Sequence, residues 1–230
     1  SARIAGADAV IVTIFVNPTQ FGPTEDFDKY PRDLDHDMKL CESHGVDAVF
    51  HPEAAEMYPR NASTWVLEES LSKGLCAKTR PIHFRGVTTV VTKLFNATLP
   101  DIAVFGQKDA QQARILKRMT RDLNFPIRII ISPIVRENDG LALSSRNKYL
   151  SEDERERALV ISRALQAASD SVSKSGAEDL DAILECVKYE IEAAGGKIDY
   201  VEAVDNETLE PLSGTLSRPT LVAVAAYFGK

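Results

Sequence analysis

The sequence predicts an α/β protein in which a doubly wound parallel sheet is followed by a smaller α+β domain. Three observations lead to this prediction. Short apolar runs rich in β-branched residues lack the alternation of a surface strand, which is typical of strands covered on both faces. Stretches with helical periodicity separate these runs. Beyond about residue 135, the pattern changes to long helices followed by two strands.

The start of the chain reads as a strand–helix–strand unit. Ala7–Val16 (ADAVIVTIFV) is apolar almost throughout and predicts a strand covered on both faces. Leu34, Met38 and Cys41 then fall on one helical face, and Gly45 is placed to end that helix. The apolar run VDAVF predicts the next strand. This order is typical of a parallel βαβ unit.

The same alternation continues through the next segments. They predict a helix over Gly86–Asn96, a strand at DIAVF, a helix over Asp109–Leu123 and a strand at IRIIIS that Pro133 ends. In the carboxyl-terminal part, Ser151 and Glu154 have the spacing of a capping box before one long amphipathic helix. A second helix is predicted over Asp179–Ala194, followed by strands at KIDYVEAVD and PTLVAVAAYFG. The predicted domains are therefore residues 1–134 and 135–230.

Composition and charge exclude several classes of protein. The net charge is −7 and the basic residues are scattered, so the chain lacks the basic face that nucleic-acid binding requires. No apolar run reaches the roughly 18 residues of a membrane span, and no signal-peptide pattern is present. The three cysteines lie far apart without CxxC spacing, which favours a reducing compartment over a disulfide framework or a zinc site. We expect a cytoplasmic protein that binds neither nucleic acid nor membranes.

Donor-rich loops at strand ends are the candidate site, because ligands of open α/β sheets bind where the strands deliver their carboxyl ends. In IFVNPTQF, the amides of Asn17 and Gln20 flank Pro18, although an Asx turn ending a strand explains this stretch equally well. In FGQKDAQQ, Lys108 lies where a helix begins, which is typical of an anion site. Alternatively, Lys108 is a surface lysine whose charge is solvated by water.

Two further loops concentrate hydrogen-bond donors. In NDGLALSSRNKYL, Gly140 marks a turn, and Ser144–Arg146 place hydroxyls and a guanidinium outside regular structure, a set suited to polyphosphate. RPIHFRG places positively charged residues just before a predicted helix. His83 in this segment equally suits a hydrogen bond at the start of that helix. Each loop alone is a weak signal. Together, they predict a site for an anionic small molecule and a nucleotide.

Five motifs, in order and at similar spacings, resemble the pantothenate synthetases, the pantoate–β-alanine ligases. They are FVNPTQF, YPR at Tyr30–Arg32, HFRG at His83–Gly86, FGQKDAQQ and DGLALSSRN. The resemblance spans essentially the whole chain. It implies a Rossmann-like nucleotidyltransferase domain for ATP and pantoate at residues 1–134 and a carboxyl-terminal lid domain at 135–230. It also implies a homodimer and a ligase that condenses pantoate with β-alanine through pantoyl adenylate, releasing AMP and pyrophosphate.

The resemblance also implies roles for single residues. Gln20 and Gln112 hold pantoate, with Gln20 also near β-alanine. Lys108 and Arg146, with Mg²⁺, neutralise charge during adenylation. Asp37 is a weak candidate for the metal. The residues implied for ATP are Gly106, Gln107, Lys108, Asp109, Val135, Leu143, Ser144, Ser145 and Arg146.

One departure from the family pattern concerns histidine. The family's HxGH-type segment belongs before the first strand, and none of the four histidines of this sequence lies in such a motif, so no catalytic histidine is assigned. Because both ends look cut, we expect the sequence to be a fragment. Two alternatives therefore stay open: an inert module that only binds nucleotide or pantoate, and another adenylyl-transferring enzyme of the same superfamily.

Overall fold

The structure is a computed structural model that describes residues 1–23 and 25–229. The chain forms two compact units, residues 1–72 with 80–133, and residues 73–79 with 134–230. Within the described residues, no helix is both long enough and apolar enough to cross a membrane.

The first unit alternates strands and helices, which confirms the α/β class. Its elements are β1 (Ile11–Thr13), α1 (Leu34–Ser43), β2 (Ala48–Phe50), α2 (Ala54–Met57), α3 (His83–Thr98), β3 (Ile102–Gly106), α4 (Ala110–Asp122) and β4 (Arg128–Ser132). The strands pair in parallel, β1 with β2 and β3 with β4. Among the described residues, the hydrogen-bonded ladders are these two pairs rather than one continuous sheet.

The first strand differs from its prediction. The ladder spans three residues instead of Ala7–Val16, and Ile11 and Thr13 are exposed. Among the described residues, the ladder partner of β1 is β2, so the strand is paired along one edge. The backbone N–H of Ile14 still donates to the Phe50 carbonyl at 3.0 Å, which continues the pairing by one bond.

The helices α3 and α4 supply much of the buried apolar surface of this unit. Their buried apolar side chains are Phe84, Val87, Val90, Val91, Phe95, Ala113, Ile115, Leu116 and Met119. In α4, these residues recur at helical spacing while Lys117 and Arg121 are exposed, which is why the helix forms on this surface. This packing holds α3 and α4, whose first residues adjoin two of the donor-rich loops predicted from the sequence.

The described residues of the second unit form three α-helices and an antiparallel strand pair. They are α5 (Glu152–Ala158), α6 (Val160–Ser175), α7 (Leu180–Ala193), β5 (Lys197–Asp205) and β6 (Thr220–Tyr227). The Ser151–Glu154 capping box is present. The one long helix predicted here is wrong, because it breaks at Leu159. That side chain is buried, and its N–H bonds to the Glu156 carbonyl three residues back, which tightens the chain locally.

Candidate active site

The turn after β1 is built by its own sequence. Asn17 caps a 3₁₀ turn, Pro18–Gln20, and Pro18 occupies its first position, where a missing N–H costs nothing. The Asn17 side chain is only 3% exposed, whereas Gln20 is half-buried. The buried Asn17 amide therefore shapes the turn, and Gln20 is the more accessible of the two amides.

Helix α3 lies directly against this turn. A Cβ atom on Gly86 would lie 2.5 Å from the Thr19 carbonyl oxygen and 2.7 Å from the Gln20 nitrogen. Only glycine permits two backbones to come this close. In addition, the Asn17 Nδ2 donates to the Gly86 carbonyl at 3.1 Å. The HFRG and NPTQ motifs are thus parts of one packed element.

The cluster predicted in RPIHFRG does not form an open cationic patch. Arg80 makes a bidentate ion pair with Glu25, with Nη2 at 2.5 Å and Nε at 3.0 Å from its carboxylate oxygens. Burial raises the pKa of Glu25, but hydrogen bonds from Arg80 and from the Gly22 N–H outweigh it and hold the pKa below its usual value. Arg85 instead lies over the Trp65 ring at 4.6 Å.

His83 is buried and supports the same turn. Its Nδ1 donates to the Gln20 carbonyl at 3.0 Å, which fixes the tautomer. Burial lowers the pKa of His83, and the nearby Arg80 charge lowers it further. Hydrogen bonding to Gln20 and the carboxylates of Glu25 and Asp109 act in the opposite direction. His83 is a neutral structural donor here.

The loop after β3 presents the second group of predicted residues. Gly106 ends β3, Gln107–Asp109 form a 3₁₀ turn, and α4 follows at Ala110. Lys108 is exposed, and its Nζ lies 3.4 Å from the Asp109 carboxylate. The prediction names Gln112 and not its neighbour Gln111. The two side chains differ in exposure: Gln111 is buried and its amide donates to the Leu71 carbonyl, whereas Gln112 is half-buried.

The second unit carries the remaining predicted residues in a tight hairpin. The Leu143 N–H donates to the Val135 carbonyl at 2.9 Å, and Gly140 takes a left-handed φ of +99° at the turn. The Ser144 hydroxyl caps the next segment by accepting from the Arg146 N–H at 3.3 Å. Regular structure begins earlier than predicted, because Ser145–Tyr149 form a 3₁₀ helix that this cap stabilises. The side chains of Ser145 and Arg146 are exposed.

A family model described as pantoate-beta-alanine ligase matches residues 2–230. The chain belongs to the pantoate-beta-alanine ligase family. The pantothenate synthetase of Thermotoga petrophila is 55% identical over 223 residues, which cover 96% of this chain and 79% of that protein. The pantothenate synthetase of Clostridium novyi is 54% identical over 224 residues, or 97% of this chain and 78% of that protein.

Solved structures of the pantoate-beta-alanine ligase family show the same fold. The pantothenate synthetase of Thermus thermophilus superposes with a TM-score of 0.87 at 43% identity, covering 96% of this chain and 80% of that one. A pantoate-beta-alanine ligase of Francisella tularensis, complexed with beta-gamma ATP and beta-alanine, gives a TM-score of 0.74 at 31% identity. That match covers 97% of this chain and 81% of the other.

Sequence reasoning missed Tyr58, which the structure places at the turn of this pantoate-beta-alanine ligase family member. Its hydroxyl donates to the Asn17 Oδ1 at 2.9 Å and accepts from Thr19 Oγ1 at 3.1 Å. The residues around Tyr58 in the sequence give no sign of this contact. The contact depends on the fold, since 41 residues separate the tyrosine from the asparagine.

Arg155 holds the hairpin of the second unit. Its Nη2 lies 2.9 Å from a Glu137 oxygen and 2.5 Å from an Asp139 oxygen, and Asn147 also donates to Glu137 at 3.0 Å. Glu137 and Asp139 lie in the hairpin that the Val135–Leu143 hydrogen bond closes. Val135 and Leu143 are two of the residues predicted to bind ATP. No local pattern in the sequence links Arg155 to this loop.

Replacing Arg155 with methionine should loosen the hairpin, because two carboxylates then lose their shared cation. We expect ATP affinity to fall about three- to tenfold, the loss typical of one partly exposed charge network. Calorimetric titration with a non-hydrolysable ATP analogue measures this. Arg163→Met on α6 removes the same charge elsewhere in the unit and serves as the control. Equal affinities of the two variants would contradict the role of Arg155.

Proposed function

We propose that this chain ligates pantoate to β-alanine with ATP, by way of pantoyl adenylate, releasing pyrophosphate and AMP. The observation that carries the proposal is the family match over residues 2–230, at more than 50% identity to curated pantothenate synthetases. The Francisella relative complexed with beta-gamma ATP and beta-alanine supports the two co-substrates. The donor-rich loops after β1 and β3 supply the residue types that these ligands need.

Pantoate is bound by Gln20 and Gln112. Both side chains are half-buried and follow the carboxyl ends of parallel strands. Neutral amides orient a hydroxy acid through hydrogen bonds without locking its carboxylate into a salt bridge. The carboxylate therefore keeps the nucleophilicity that the first step requires. Gln20 also lies near the β-alanine amine when it arrives.

The residues proposed for ATP fall into two groups. They are Gly106, Gln107, Lys108 and Asp109 in the first unit, and Val135, Leu143, Ser144, Ser145 and Arg146 in the second. The helix α4 begins directly after Asp109, so the N–H groups of its first turn and the Lys108 ammonium suit phosphate. The exposed guanidinium of Arg146 adds a planar set of donors for phosphate oxygens. The second unit acts as the lid domain.

In the first step, a pantoate carboxylate oxygen attacks the α-phosphorus of ATP, and the bond to the bridging oxygen of pyrophosphate breaks. Lys108 and Arg146 stabilise the negative charge that builds up on the phosphate oxygens. In the second step, the β-alanine amine attacks the acyl carbon of the adenylate. The carbon–oxygen bond to AMP then breaks, and the amine loses a proton to become the amide.

Mg²⁺ is the metal expected with ATP. Within the described residues, no group of three or more acidic, histidine or cysteine side chains is arranged to hold a metal. This fits a magnesium ion carried mainly by the phosphates, with at most one or two protein carboxylates. Asp37, half-buried in the first turn of α1, is the candidate carboxylate. The metal would supply further charge neutralisation during adenylation.

The proposal includes a cytoplasmic homodimer. The scattered cysteines favour a reducing compartment, and the family resemblance supports the dimer. Sedimentation equilibrium measures the oligomeric state directly.

Release of AMP from ATP, dependent on both pantoate and β-alanine, is the experiment that tests the function. Turnover with another hydroxy acid in place of pantoate would assign the chain to a different adenylyl-transferring reaction. Binding of pantoate and ATP without AMP release would leave only a binding role.

Replacing Gln20 with alanine should weaken pantoate binding about 10- to 100-fold, because hydrogen bonds to a charged ligand are worth about 1.5–3 kcal/mol. Calorimetric titration of pantoate measures the change, and ATP affinity should stay within about twofold. Gln166→Ala on the exposed face of α6 is the matched control. An unaltered pantoate affinity would make Gln20 a structural residue.

A further inference from the structure

The orientation of the Asn17 side-chain amide is fixed by two backbone groups. The Thr19 N–H, which can only donate, faces Asn17 Oδ1 at 3.3 Å. The Gly86 carbonyl, which can only accept, faces Nδ2 at 3.1 Å. Backbone groups cannot exchange these roles, so the oxygen and nitrogen of the Asn17 amide cannot be interchanged.

The orientation of Asn17 determines that of Gln20. The Asn17 Nδ2 donates its second hydrogen to the Gln20 Oε1 at 3.0 Å. A nitrogen donor requires an oxygen opposite it, so the side-chain oxygen of Gln20, Oε1, is turned toward Asn17. The Gln20 amino group is then the end of the amide that is left for a ligand. Such a group recognises oxygen acceptors, namely hydroxyl and carboxylate oxygens.

The Tyr58 hydroxyl occupies the opposite end of the Asn17 amide. It donates to Oδ1 at 2.9 Å, and Thr19 Oγ1 lies 2.9 Å from the same oxygen. The Tyr58 ring is held between aromatic neighbours, with its centroid 6.5 Å from that of Phe15 and 6.4 Å from that of Trp65. Burial raises the pKa of Tyr58, so the phenol keeps its hydrogen.

We propose that Tyr58 is a positioning residue for pantoate: its hydroxyl adds a hydrogen bond that restrains the Asn17 amide in the orientation set by the two backbone groups, and this amide holds Gln20 with its amino group toward the substrate. The inference rests on the proposed contact between Gln20 and pantoate. Tyr58 itself touches no reacting atom. Its hydroxyl limits the movement of the Asn17 amide, so that the amino group of Gln20 already faces outward before the substrate binds.

Tyr58→Phe tests the proposal, because it removes the hydroxyl and keeps the ring between Phe15 and Trp65. Calorimetric titration of the whole chain should show pantoate affinity about three- to tenfold weaker, the size of one lost hydrogen bond, with ATP affinity unchanged. The matched control is Tyr189→Phe, on a tyrosine that is 70% exposed on α7. An equal loss of affinity for both ligands would indicate general damage and overturn the proposal.

The double variant with Gln20→Ala separates this inference from the proposed function. If Tyr58 acts through Gln20, its replacement should have no further effect once Gln20 is alanine. Additive losses would overturn the inference while leaving the Gln20 contact intact. If Gln20→Ala alone leaves pantoate affinity unchanged, the proposed contact between Gln20 and pantoate is wrong.

A measurement without pantoate completes the test. In the free protein, Tyr58→Phe should shift the side-chain amide resonances of Asn17 and Gln20, whereas Tyr189→Phe should not. Unshifted amide signals in the Tyr58 variant would overturn the chain of hydrogen bonds even if pantoate affinity had changed.

Discussion

Lys108→Ala should slow formation of the adenylate by about 10²- to 10³-fold while leaving pantoate affinity nearly unchanged. Removing one preordered donor to a charged transition state typically costs this much. Lys108 precedes the first turn of α4 by two residues, and the N–H groups of that turn have no partner within the helix. Its contact with Asp109 at 3.4 Å is loose and exposed, so little fold stability depends on it.

Single-turnover release of pyrophosphate, measured by quench-flow, isolates the step in which Lys108 is proposed to act. Lys117→Ala removes the same charge from the exposed face of the same helix and should react at the rate of the unaltered chain. Lys108→Arg keeps the charge but changes its geometry, so it should recover part of the rate. An unchanged rate for Lys108→Ala would remove the lysine from the mechanism.

The predicted secondary structure succeeds where local signals dominate. The capping box at Ser151 and the apolar periodicity of α4 depend on near neighbours in the chain, and both are present. The break at Leu159 depends on what that side chain packs against, and the exposure of Ile11 depends on how many strands flank β1. The residues next to Leu159 and Ile11 in the sequence encode neither the packing of Leu159 nor the number of strands beside β1.

The same distinction separates the site residues that were predicted from those that were missed. Gln20 and Lys108 lie in loops that follow strands, so the rule that ligands bind at strand ends selected these loops, and the family resemblance then selected the residues. Tyr58 reaches Asn17 across 41 positions, and Arg155 reaches Glu137 across 18. These supporting contacts are long-range, and their residue types are common on protein surfaces, so no local pattern marks them.

Gly86→Ala is expected to have the second large effect, on pantoate binding and on stability together. In an ordinary helix, this change gains about 0.5–1 kcal/mol, because alanine restricts the unfolded chain. Here, the new Cβ would lie 2.5 Å from the Thr19 carbonyl oxygen and 2.7 Å from the Gln20 nitrogen. Both are backbone atoms, which cannot rotate away as the end of a flexible side chain can. Forced overpacking costs about 1–3 kcal/mol, so the net change is destabilising.

Relief of this clash requires α3 and the Pro18–Gln20 turn to separate, which would also lengthen the bond from Asn17 to the Gly86 carbonyl. We therefore expect pantoate affinity to fall by about tenfold or more, beside a lower melting temperature. Gly74→Ala is the control, since a Cβ there meets nothing within 4 Å. Because the displaced atoms belong to Thr19 and Gln20, ATP affinity should persist at temperatures where the variant is folded. A Gly86 variant that melts higher and binds pantoate normally would show that the helix and the turn are not in such close contact.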